Sequence, residues 1–238
     1  MDKKELAASH RGLLSAACRI CNFFGGRKKI RGKGNQIRIP CGLLKRTKIK
    51  IFGDNNTVTV GDFSRLTGAS IEIHGSGNAI ELGSWGTYTG TEIYVEQDHN
   101  RVVVGDHAHF YGRVQLAAME GTSITVGEDC LCSSNIEIRT GDSHAVLNLE
   151  GRRINPSRNV TGGDHVWIGK NVMILKGSEI GSHCIVGAGA LVSGAFPESN
   201  CSIAGVPAGI LKRDVDWSVH HIPEGEMAPD FVFPGQKD

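Results

Sequence analysis

The sequence predicts an all-β protein: one continuous parallel solenoid of short strands, opened by a short helix and interrupted by an extended loop near 145–161. Three observations predict it. A six-residue apolar repeat fills the C-terminal half, a 22-residue repeat fills the N-terminal half, and the composition is rich in Gly and poor in aromatics. A period of six matches neither an amphipathic helix, which repeats every ~3.6 residues, nor an alternating strand, which repeats every ~2. It does match short strands joined by tight corners, six residues to a side and three sides to a coil.

Residues 1–25 come first. Leu6, Leu13, Leu14, Ala17, Ile20 and Phe24 fall at helical spacing and predict an amphipathic helix that caps the first coil, whose sheet end would otherwise meet water. From Arg27 to Lys50 there are ten Lys or Arg and no Asp or Glu, in a chain whose net charge is only +1. Such a face suits an anionic polysaccharide, peripheral contact with acidic lipid at a membrane, or plain solvation. Nucleic acid is disfavoured, because no aromatic interleaving or binding motif accompanies the charge.

Residues 26–213 form the solenoid. Val60, Leu82, Val104 and Val126 stand at steps of 22, as do Asn56, Asn78 and Asn100, with Asn35 one residue out of register. Each step is one coil with a longer corner, and the Asn marks a turn where its short side chain tolerates a left-handed conformation. Val126, Cys132 and Ile138 then take up the six-residue step, so the two registers join without a linker. Stacked coils of this kind bury a narrow axial core.

The repeat breaks at "TGDSHAVLNLEGRRINPSRNVTGGDHVWIG", residues 140–169. His144 stands six residues after Ile138, where a buried aliphatic side chain was due, and a polar, turn-rich stretch follows. That predicts the loop thrown out from the solenoid. Past it the period resumes through Ile168, Ile174, Ile180, Val186 and Val192, lapses at Glu198, and returns at Ala204 and Ile210. Val172, Ser178, Cys184, Ala190, Phe196, Ser202 and Ala208 mark a second inward position. Residues 214–238 form a tail in which "DFVFP" is expected to pack on its own or a neighbouring subunit.

Composition bounds the rest. Thirty-two Gly in 238 residues and 6% aromatics fit a core too thin for large rings. No signal-peptide pattern or transmembrane-length apolar run occurs. Cys41, Cys130, Cys132 and Cys184 lie at or beside repeat positions, and an odd total of seven suits a reducing cytoplasm better than disulfides. Cys18-x-x-Cys21 and Cys130-x-Cys132 lack a second pair at zinc-site spacing, so no metal is expected.

The "VWIG" of 166–169, the six-residue repeat after it, "VGAGALV" at 186–192 and "IAGVPAGILKR" at 203–213 resemble the hexapeptide-repeat acyltransferases. Within them the chain most resembles the O-acetyltransferases that modify sugars of bacterial surface polysaccharides. The specific match covers residues 126–217, including "RDVDW". The resemblance implies a left-handed parallel β-helix and a homotrimer with active sites between subunits. It also implies acetyl-CoA as the acyl donor and a sugar hydroxyl as the acceptor.

Site roles come from the same resemblance. His144 is the catalytic base; a hydroxyl is a poor nucleophile until an imidazole takes its proton. Asp142 or a backbone carbonyl would orient that imidazole. The backbone N–H of Lys170 is the oxyanion donor, Trp167 lines the cleft, and Asn155 shapes the loop or touches the acceptor. Gly187 and Ala188 meet the pantetheine arm, with Ser193 and Lys212 near the nucleotide end. The chain departs from the xenobiotic and maltose types at Ser193-Gly194, where those carry Thr-Lys, and at Gly209, where those carry Arg. Two phosphate-facing charges are therefore missing, and Lys170, Lys176 or Arg213 is expected to substitute.

Other classes remain open at this point. N-acetylation of an amino sugar or xenobiotic uses the same base. A carbonic-anhydrase-type metal site would need His107, His109 and His144 to converge. A non-catalytic carbohydrate-binding solenoid would need none of these groups. His107, His109, His165, His183, His220 and His221 read as solvated corners.

Overall fold

The computed structural model describes residues 11–229. A helix, Arg11–Gly25, is followed by coils of a parallel β-solenoid with three faces, each face a ladder of strands hydrogen-bonded to the coil above and below. The first face runs from Gly26–Arg31 through Thr47–Phe52 and Ser70–His74 to Ile136–Arg139, Met173–Ile174 and Leu191–Val192. The second is eight-stranded and runs from Gln36–Arg38 through Thr57–Val60 and Ser123–Val126 to Val160–Gly162 and Ala195–Phe196. The third runs from Leu43–Lys45 and Arg65–Thr67 to Leu131–Cys132, Trp167–Ile168 and Cys201–Gly205. Two long strands, Thr87–Glu96 and His109–Met119, bend around a corner and serve the third face and then the first. Among the described residues no helix is long and apolar enough to cross a membrane.

Register follows the sequence periods. Val58, Ile80, Val102 and Ile124 are stacked partners at steps of 22, and Trp167 pairs with Ile185 at a step of 18. Within each strand alternate residues turn inward: Val58 and Val60 are fully buried while Thr57 and Thr59 face out. A single column of Val, Ile, Leu and Cys results, continuous from Leu44 to Ile203. Corners hold the chain in tight left-handed turns. Phe63, Trp85, His107, Asp129, His165, His183 and Asn200 stack above one another with φ between 52 and 63°. Gly75 is required at another corner: its φ is +141° and a Cβ there would lie 2.0 Å from the Gln97 carbonyl oxygen of the next coil.

Several expectations need correcting. Asn56, Asn78 and Asn100 do not take the left-handed turn; the residue before each does, at Asn55, Gly77 and His99. The Asn side chains point inward instead, buried to 0–1% exposure, and form a ladder between coils. The core is wide enough for two large rings in neighbouring 22-residue coils, Tyr88 and Phe110, meeting edge to face at 5.3 Å. At the C-terminal end Ala204 and Ile210 do not continue the repeat. The last coil is one residue shorter, so Ile203 pairs with Val186 and enters the core, and Ala208–Arg213 folds back antiparallel on Cys201–Gly205.

The helix sits on the first coil the other way round. Asn22 bridges to it, donating to the Gly42 carbonyl at 2.9 Å and accepting from the Leu44 N–H at 2.7 Å, and the Cys18 thiol donates to the Cys41 carbonyl. Cys18 and Asn22 are the buried residues of this helix, while Leu13, Ile20, Phe23 and Phe24 are 65–82% exposed. The apolar stripe thus faces away from the solenoid. Leu6 and the "DFVFP" segment lie outside the described residues.

Candidate active site

The partner of Ile124 on the second face is Val160, 36 residues on, where later coils use 18. One coil therefore carries a second coil's worth of chain, and this is the loop. Thr140 is the last inward residue before it and is fully buried. His144 lies exposed on the loop's ascending arm, outside the core position that the repeat assigned it. Further on, Leu147 and Arg153 pair antiparallel, with the turn closed by Asn148 and Gly151.

Two devices hold the loop. Asn155, 9% exposed, donates to the His144 carbonyl at 2.8 Å and to Asp142 at 2.7 Å, and accepts from the Val146 N–H at 2.7 Å. Its single amide ties the main chain at His144 and Val146 to the Asp142 side chain. Asp142 is taken by Lys176 as well as Asn155, and these two partners hold its carboxyl below the usual range. Among the described residues nothing hydrogen-bonds the His144 imidazole, so Asp142 is a loop anchor in the single chain.

The second device is Glu120 on the solenoid, gripped by the two terminal nitrogens of Arg153 at 2.5 and 3.0 Å and by the Ser157 N–H at 3.1 Å. Arg153 and then Ser157 pull the Glu120 pKa down to about 2 from 4.5. A depressed carboxyl pKa stabilises the fold fully above 4.5, and that contribution is lost as pH falls through about 2. The loop is therefore expected to stay protected from protease at neutral pH and to open progressively across that window. Arg153→Ala is expected to open it already at pH 7, and hydrogen exchange at 145–158 checks both.

Trp167 is 40% exposed on the third face, and Lys170 stands at the following corner. His144 follows a first-face strand, so the strands that lead to these residues lie on different faces, and no contact joins them among the described residues. Lys170 and Ala188 stack one coil apart. Gly169 and Gly189 bond to the neighbouring coil, through Val186 and Lys170 carbonyls, while the N–H groups of Lys170 and Ala188 have no partner among the described residues. Gly169 permits this stacking, since a Cβ there would lie 2.7 Å from the Ala188 nitrogen. Gly187 donates to the Ile203 carbonyl, and Ser193 is exposed on the last coils.

Of the cations proposed near phosphate, Lys176 is paired with Asp142 and Arg213 with Glu198 at 3.1 Å. Lys170 and Lys212 carry no ion pair among the described residues. Lys212 lies on the returning strand opposite Ser202.

Residue spacing missed one cluster. His165 is no solvated corner: its ring stacks on Trp217 at 4.3 Å, its Nδ1 meets Asp129 at 2.7 Å, and its Nε2 lies 3.0 Å from the Trp217 carbonyl. Trp217 Nε1–H donates back to the His165 carbonyl, and Asp216 approaches both His165 and His183. Burial disfavours charge on His165, but Asp129 and the Trp217 carbonyl outweigh it and the net push on its pKa is upward. This clasp binds the C-terminal segment to the prism and sets Trp217 6.2 Å from Trp167. The signal was the Trp of "RDVDW", legible only once its partner corner was known. His165, His183 and Asp216 bring ligand atoms within 4.8 Å of one another; His107, His109 and His144 form no such group among the described residues.

A family model described as bacterial transferase hexapeptide (six repeats) matches residues 163–194. The polysialic acid O-acetyltransferase of Neisseria meningitidis is 32% identical over 188 residues, 78% of this chain and 86% of that protein. The polysialic acid O-acetyltransferase of Escherichia coli O1:K1 / APEC is 31% identical over 97 residues; the match spans 40% of this chain and only 31% of that one. Among solved structures, the polysialic acid O-acetyltransferase OatWY superposes with a TM-score of 0.79 at 29% identity, covering 84% of this chain and 95% of that one. Repeat, prism and relatives that match most of its length agree: the chain belongs to the bacterial hexapeptide-repeat acetyltransferases and is an O-acetyltransferase.

Proposed function

We propose that the protein transfers an acetyl group from acetyl-CoA to a hydroxyl of a sialic acid polymer or a closely related acidic surface polysaccharide, with His144 as general base. The observation that carries the acceptor class is the similarity, over most of the length of both chains, to the polysialic acid O-acetyltransferase of Neisseria meningitidis. The loop carries the mechanism. Asn155 holds the His144 carbonyl and the Val146 N–H, which presents an exposed imidazole at a defined place.

His144 takes the proton from the acceptor hydroxyl as its oxygen attacks the thioester carbon. The carbon–sulfur bond breaks, and the imidazolium returns the proton to the departing thiolate. The Lys170 N–H, unpartnered at its corner, donates to the thioester oxygen as negative charge develops there. The Ala188 N–H one coil below suits the pantetheine arm, with Gly187 and Ser193 beside it. Lys170 and Lys212 are the cations available to the nucleotide phosphates. Trp167 walls the acyl group from water. Because the strands that lead to His144 and Trp167 lie on different faces, a complete site requires two copies, which supports a cyclic trimer with its sites between subunits.

Thiol release from acetyl-CoA, measured with polysialic acid, free sialic acid, a neutral galactoside and buffer alone, tests the reading. Turnover is expected to be highest with the polymer. Equal turnover on the neutral sugar would remove the acidic-polysaccharide assignment, and failure to bind acetyl-CoA would remove the reaction itself.

A further inference from the structure

The helix Arg11–Gly25 carries an apolar stripe that packs on nothing among the described residues. At about 100° per residue, Leu13, Ala17, Ile20 and Phe24 fall along one line, and Ser15, Cys18 and Asn22 along the opposite one. The line that meets the solenoid is the polar one. Phe23 and Phe24, 80% and 82% exposed, stand together edge to face at the helix end. Water is a poor solvent for such a stripe, and the helix would bury it on the first coil if no other surface were meant to receive it.

The surroundings say what that surface is. Two clefts flank the helix, of about 840 and 770 Å³. Phe24 shares the first with Arg27, Lys45, Arg46 and Lys48; Phe23 shares the second with Arg19, Lys28 and Arg38. Between residues 11 and 50 there are twelve Lys or Arg and no Asp or Glu, leaving 14 Lys or Arg against 25 Asp or Glu in the rest of the chain. The molecule is thus basic at its helical end and acidic elsewhere. An anionic surface attracts one end and repels the remainder, which orients the prism end-on.

We propose that this end docks on an anionic lipid bilayer, with Leu13, Ile20, Phe23 and Phe24 entering the headgroup–acyl boundary and the flanking Lys and Arg contacting lipid phosphates. A soluble polyanion would satisfy the cations but leave the apolar stripe in water. A second copy set against the same end would bring like charge against like charge. Lipid alone matches both halves of the surface.

The test is co-sedimentation of the full chain with phosphatidylcholine vesicles, with and without phosphatidylglycerol. Binding is expected only to the anionic vesicles and is expected to weaken with added salt. Phe23→Ser with Phe24→Ser is expected to lower the partition by roughly tenfold or more, because two exposed rings lose their apolar environment. Both side chains are exposed among the described residues and lie outside the proposed site, so thiol release on a soluble acceptor should not change. Absence of binding to the anionic vesicles overturns the proposal. So does vesicle binding that the double variant leaves intact, which would mean charge alone. A changed oligomeric state of the variant on gel filtration would make the stripe a subunit contact, and retention by soluble polysialic acid without vesicle binding would make the end a polysaccharide site.

Discussion

His144→Ala is expected to lower the rate of acetyl transfer by about 10²–10⁴ while leaving acetyl-CoA binding within about twofold of the unaltered protein. The separation of the two effects follows from where the residue sits. His144 lies exposed on the loop, and the main chain around it is held by Asn155 through the His144 carbonyl and the Val146 N–H, neither of which involves the imidazole. Removing the ring therefore removes the proton acceptor without loosening the loop. The proposed cofactor contacts, the N–H groups of Lys170 and Ala188, belong to another face and stay as they are. Thiol release with polysialic acid measures the rate, and calorimetric titration measures the affinity. A rate within threefold of the unaltered protein would sink the general-base role and shift attention to the clasp around His165. Loss of both rate and affinity would mean that the ring shapes the cofactor site.

Asn78→Ala is the substitution expected to cost the fold most among the polar interior positions. Asn78 is 1% exposed, and its carboxamide joins three coils. The oxygen accepts from the Asn100 N–H at 2.8 Å and from the Asn100 amide at 3.0 Å; the nitrogen donates to Asn56 at 3.0 Å and to the Gln97 carbonyl at 3.0 Å. Alanine leaves the Asn100 N–H without its partner, in an interior from which water is excluded, and leaves the Gln97 carbonyl only the Asn100 amide at 3.2 Å. At roughly 1–3 kcal/mol for the orphaned N–H and about 1 kcal/mol for a further hydrogen bond lost, the expected loss is about 3 kcal/mol. In a chain of this size that corresponds to a fall in Tm of about 6–12 °C. Calorimetric melting checks it. Because coils contact only their neighbours, hydrogen exchange should rise first in the coils beside position 78 and last near Val192. A melting temperature within 2 °C of the original would show that water or a repacked neighbour replaces the amide.

The interior of the solenoid was largely legible in the sequence. Val60, Leu82, Val104 and Val126 announced the long coils, and Ile168 to Val192 the short ones, because each inward residue has a fixed distance to the next. The loop was legible as a failure of that rule at His144. The helix and its seat beside the first coil were legible, but not which of its faces meets the coil: periodicity reports that an apolar stripe exists, not which surface receives it. The Asn ladder was misread because both a turn and an inter-coil hydrogen bond call for the same side chain. The end of the repeat was misread because a coil shortened by one residue leaves the local pattern intact for several positions before Ala204 and Ile210 fall out of phase.

By itself, then, the sequence determined the class of fold, the length of its coils and the place where the chain departs from them, since those depend on distances counted along one chain. Only the tertiary structure decided what stands beside what: Asn155 under His144, Arg153 on Glu120, Trp217 on His165, and an apolar helix face turned outward over a basic end. The first of these closes one loop on itself; the others join residues on separate coils or corners, or set a helix against a coil formed after it. Their closeness is created by loop closure and by stacking, and leaves no period in the sequence to read.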